Sequence, residues 1–173
     1  MLRAALFAVV GVGFFVRWLQ GFTNPNYQTP ASVSDWFAVL SFSASLIALA
    51  FALPILARLT GERVVFRVSL IPAVGAALGG VSNLLEDGLQ LGWAFWLFVL
   101  SLWINVFGLA ALAVVVAFIG RGGRRLFAAI PAATLVGQLL FPIVGGVLML
   151  AAWLAAAAFA LGRPAPSEPP ASP

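Results

Sequence analysis

The chain contains no cysteine, no histidine and no lysine. Each absence removes a class of chemistry. Without cysteine there is no thiolate nucleophile, no disulfide and no thiolate metal site. Without histidine there is no imidazole general base and no histidine-ligated haem. No metal and no cofactor are expected, and the chain is read as not an enzyme. Charge is also scarce: charged residues are 8% of the 173, against about 25% in soluble globular chains. The composition is instead 63% hydrophobic, with mean hydropathy +1.11. A small domain leaves much of its surface exposed, so a chain this apolar needs the lipid bilayer as its solvent.

The positive charge is arginine alone, nine residues against five Asp and Glu, for a net charge of +4. These arginines sit mostly in short loops between apolar runs, which argues against a nucleic-acid partner. Arginine without lysine, in an alanine-rich chain, points to a GC-rich bacterial genome. The expected location is therefore the bacterial plasma membrane, in multi-pass form.

The apolar runs predict an all-α fold: a polytopic transmembrane helix bundle of five spans, with six as the alternative. A span needs roughly 17–25 residues. The spans fall at about 2–19, 35–59, 64–87, 91–119 and 142–161, all within one transmembrane domain over 1–161. Arg3 and the run that follows resemble a secretory signal, but no small-residue cleavage site follows, so the segment reads as a first span. Ser34 is the expected N-cap of the second helix, with Asp35 in its first turn. Gly88 is the expected cap of the third. Residues 21–33 form the longest polar connection and read as turn-rich through Pro25 and Pro30. Residues 126–140, divided from the last span by Pro142, read as an interfacial or kinked lead-in. Residues 162–173 hold five prolines and read as a disordered tail.

Five spans place Arg3, Arg58, Arg63, Arg67, Arg121, Arg124 and Arg125 on one side. The positive-inside rule makes that side cytoplasmic, so the expected orientation is N-in and C-out. Six spans would return the tail to the cytoplasm. Trp18, Trp36, Trp93 and Trp96 fall at the outer helix ends, as an aromatic belt would.

Few residues are left to carry a function. Pro72, Gly75, Gly79, Ser82 and Glu86 share a helix face. Gly75 and Gly79 form a GxxxG pair, suited to close helix packing within the chain or against a partner. Glu86 and Asp87 lie at a helix C-terminus, where the macrodipole disfavours them by roughly 0.3–1 kcal/mol. Three readings stand: solvated headgroup residues, an ion pair with Arg17, or a proton or cation site with Asn83. Neighbouring carboxylates on an α-helix point about 100° apart, so they are not expected to face one substrate. Asn105, with Ser101 on its stripe, and Gln138 are candidates for hydrogen bonds between helices. Gly145 is a further packing candidate beside Pro142. Two functions fit this inventory. One is a non-enzymatic accessory or scaffolding subunit, packed against a larger membrane protein or a second copy of itself. The other is a small transporter or channel for a proton, cation or lipid-like solute, using the outer-side carboxylates.

Overall fold

A backbone in lipid must satisfy its own hydrogen bonds, and long apolar sequences do so as helices. The computed structural model describes residues 1–23 and 29–162. Every regular element among them is helical. Helices α1 (Leu2–Thr23), α2 (Val33–Thr60), α3 (Arg63–Asn83) and α4 (Ala94–Ile119) follow one another as antiparallel hairpins. A 3₁₀ segment, Gly122–Ala128, leads into the short α5 (Ala129–Leu139). A π-helical turn at Phe141–Gly145 then opens α6 (Gly146–Leu161). Five stretches are long and apolar enough to cross a membrane: Leu2–Phe22, Val33–Thr60, Arg63–Gly88, Ala94–Ile119 and Phe141–Leu161.

Local chemistry sets the ends. The N-cap of α2 is Ser32, not Ser34. Ser32 Oγ accepts from the Asp35 N–H at 3.2 Å, and the Asp35 carboxylate accepts from the Ser32 N–H at 2.8 Å. This capping box requires the acid three residues after the cap, a spacing that Ser34 lacks. Gly61 closes α2 in the left-handed conformation at φ +78°. The end of α3 departs from expectation. Gly88 has no positive φ; Gln90 takes the left-handed conformation at φ +58°, and its side-chain amide donates to the Asp87 carbonyl at 2.6 Å. The expected turn-rich connection lies outside the described residues over 24–28, and its first residues, Gly21 to Thr23, continue α1. The expected disordered tail lies outside them from 163 onward.

The helices close into a ring. Each of α1 to α4 packs on the next, α5 sits between α4 and α6, and α6 packs back on α1. Small residues permit the approach. A Cβ at Gly75 would stand 2.5 Å from the Asn105 backbone nitrogen, and one at Gly108 would stand 2.6 Å from Pro72 N. Gly13 faces Ser45 between α1 and α2, and Gly146 faces the Trp18 ring between α6 and α1. The Trp153 indole N–H donates to Thr134 Oγ1 at 3.0 Å and joins α6 to α5.

The last turn of α6 lies at the same end of the described bundle as the start of α1. Antiparallel order runs through α1 to α4, so the α2–α3 and α4–α5 turns share the end at which α1 begins. Arg124 ties these turns directly, donating to the Thr60 carbonyl at 2.8 Å. Helix α6 runs antiparallel to α1: Gly146 meets Trp18, and Trp153 meets Phe7 at 5.6 Å between ring centroids. Its last turn reaches the basic end, where Phe159 packs on Phe127 at 4.6 Å. The reason is the segment 122–139, which rises from the basic end as 3₁₀ helix and α5 before α6 descends. Too short to register as an apolar span, it still reverses the chain once more.

Valine at Gly75 or Gly108 should lower unfolding stability in detergent by about 1–3 kcal/mol through overpacking. Gly92→Ala, at a position with nothing within 4 Å, should leave it unchanged. Equal tolerance at all three sites would contradict the close α3–α4 crossing.

Candidate functional site

Two adjoining cavities occupy the half of the bundle away from the basic turns. The outer one, about 260 Å³, is lined by Arg17, Asn83, Glu86 and Asp87 with Phe42, Phe95, Phe98 and Phe141. The inner one, about 200 Å³, draws its walls from α1 to α5 and the π turn before α6, including Phe14, Leu46, Gly75, Gly79, Ser101, Asn105 and Gln138. Phe42, Phe98 and Phe141 border both. We call the outer space the vestibule and the inner one the chamber.

The vestibule depends on how α3 ends. Leu84–Gly88 winds as a π turn, with the Leu89 N–H bonded to the Leu84 carbonyl at 3.0 Å. The wider turn brings successive side chains closer in direction, and such turns recur at functional sites. Glu86 and Asp87 both line this space. Across from them lies Arg17, 6% exposed, with its guanidinium 5.5 Å from the centre of the Phe42 ring. Electrostatic attraction acts between Arg17 and Asp87. Asn83 is held on α2, donating to Ser43 Oγ at 3.0 Å and to the Val39 carbonyl at 3.4 Å. Among the described residues no three metal-ligating side chains gather. The vestibule thus offers two carboxylates beside an arginine, short of the six or more oxygens a calcium ion takes.

The chamber is mostly apolar, with polar atoms at fixed points. Ser101 Oγ donates to the Phe98 carbonyl at 2.7 Å. Asn105 donates through Nδ2 to the Pro72 carbonyl at 2.8 Å, bridging α4 to α3. Gln138 enters from the end of α5. Gly75 and Gly79 form part of the wall and face α4 of the same chain. Gly145 stands apart: it packs on Gly137 where α5 turns into α6. Nothing in the sequence marks Phe42, Phe98 or Phe141 as site residues. A lone phenylalanine in an apolar helix carries no signal of what it borders. Neither protein-family models, nor curated proteins, nor solved structures match the chain.

A double-mutant cycle over Arg17→Ala and Asp87→Ala should show a favourable coupling of about 0.5–3 kcal/mol. The same cycle with Glu86→Ala should show less. Additive losses in the Asp87 cycle would contradict a working attraction across the vestibule.

Proposed function

We propose that the protein is a multi-pass protein of a bacterial plasma membrane that carries a small lipid-like solute through its interior, without catalysing a reaction. The observation that supports this most is convergence. Arg17, Asn83, Glu86 and Asp87 surround the vestibule, and Ser101, Asn105 and Gln138 reach the chamber beneath it. Polar groups within a membrane are costly, and where they persist they face interior cavities and pathways. Ligand sites in bundles are typically apolar clefts with a few placed polar groups. The accessory-subunit reading draws less support. Its small-residue face, Gly75 and Gly79, is already covered by α4. The bilayer is the only partner the proposal requires.

The positive-inside rule makes the basic end cytoplasmic. Both ends of the described fold then face the cytoplasm, and the vestibule faces outward. A reporter fused after Pro173 should be active on the cytoplasmic side; an external reporter would overturn this orientation.

The native absence of cysteine makes accessibility a direct test of the pathway. Asn83→Cys and Ser101→Cys should react with a small, membrane-impermeant methanethiosulfonate added from outside. Phe107→Cys, at an exposed outer position on α4, should remain unlabelled in lipid. Ser101→Cys reacting no faster than Phe107→Cys would remove the proposed route into the chamber.

A further inference from the structure

We infer that the chamber selects solutes that donate a hydrogen bond: an uncharged hydroxyl compound, alcohol or phenol, on a small apolar body. The inference rests on the proposal above that the interior takes up a solute. It starts from Asn105, which is 3% exposed. The orientation of its amide is dictated by its neighbour. The Pro72 carbonyl can only accept, so the amide nitrogen must face it at 2.8 Å. That leaves Oδ1 as the free end, buried and without a donor among the described residues. Gln138 lines the same chamber with its Oε1 also buried and without a donor; no hydrogen bond among the described residues fixes its amide, so it answers a donor or an acceptor. Ser101 spends its proton on the Phe98 carbonyl at 2.7 Å, so it too presents lone pairs to the chamber.

Asn105 and Ser101 therefore turn acceptors toward a solute. A buried acceptor that finds no donor is destabilising, and a solute hydroxyl supplies the missing proton. An ether, ester, ketone or carboxylate would set lone pair against lone pair. Sites built to bond a hydroxyl reject the analogue lacking it far more strongly than apolar pockets reject a missing methylene. Charge separates a further class. An ammonium in the chamber would be costly without a counter-charge, and the carboxylates Glu86 and Asp87 border the vestibule instead. Phe14, Leu46, Phe98 and Phe141 give the rest of the wall, and about 200 Å³ accommodates a single-ring body.

The test uses the full-length protein in detergent with two matched probes, 4-ethylphenol and 4-ethylanisole, which differ only by methylation of the hydroxyl. Thermal unfolding is followed at equal free probe concentration, set by dialysis, because a ligand of the folded state raises the midpoint by mass action. A control variant, Ala76→Phe, puts a ring into the chamber from a wall position; Leu46→Trp replaces it if Ala76→Phe fails to fold. The expected result is binding of the phenol about tenfold or more tighter than the anisole, with no shift in the filled variant. Ser101→Ala should erode the preference, because it removes an acceptor and avoids Asn105, whose bond to Pro72 supports folding. Equal shifts for both probes that vanish on filling would overturn the donor selectivity while leaving a solute-binding chamber. Shifts that persist on filling, or no shift with either probe, would overturn both the selectivity and the proposed function.

Discussion

The crossing of α3 over α4 is the contact on which the rest of this structure depends. Two glycines, one on each helix, let the backbones meet: Gly75 lies on Asn105, and Gly108 lies on Pro72. At that distance the Asn105 side chain reaches the Pro72 carbonyl. Water and apolar collapse give little drive between helices in lipid, so close packing and such bonds do the holding. The contact has a second effect. It orients a mid-helix amide, so that one end joins two helices and the other is presented inward.

Around this crossing the ring closes by the same means. Small residues stand wherever helices approach most closely, and bulky side chains project outward at positions such as Phe51, Phe107 and Phe118. Polar groups follow the opposite rule. Arg17, Asn83, Ser101 and Asn105 are all buried in the bundle. The ring does not fill at its centre, because glycine and alanine line α3 where α1, α4 and α5 converge. Small residues chosen for close approach thus leave a chamber beside the contacts they create. At the outer end, the π turn of α3 adds two carboxylates to that space, facing an arginine that rests on an aromatic ring.

Much of this was legible in the sequence, and the failures have physical causes. Five apolar runs bounded by Ser, Gly and Arg marked the long helices to within a few residues. Residues 126–140 read from sequence as a lead-in because Pro131 and Pro142 interrupt the apolar run. In the fold Pro131 lies in the first turn of α5, where a missing N–H is harmless, so the segment climbs the bundle and reverses the direction of α6. The polar residues were also legible, since each is conspicuous in an apolar chain. Their grouping was not. Helical spacing says nothing of the space that Glu86 and Asp87 share with Arg17 and Asn83, which lie on other helices or further back on α3. The phenylalanines between vestibule and chamber were invisible because the cavity they border exists only in the assembled ring.

The central claim is that the bundle holds a solute in a chamber bordered by Asn105 and Gln138. Crystals grown in a lipid mesophase and soaked with 4-bromophenol would address it most directly through the anomalous signal of bromine. The account predicts a bromine peak within the chamber, with the phenol oxygen at hydrogen-bond distance from Asn105 Oδ1 or Gln138 Oε1. A signal confined to the lipid-facing surface of α4, with none inside the ring, would contradict it.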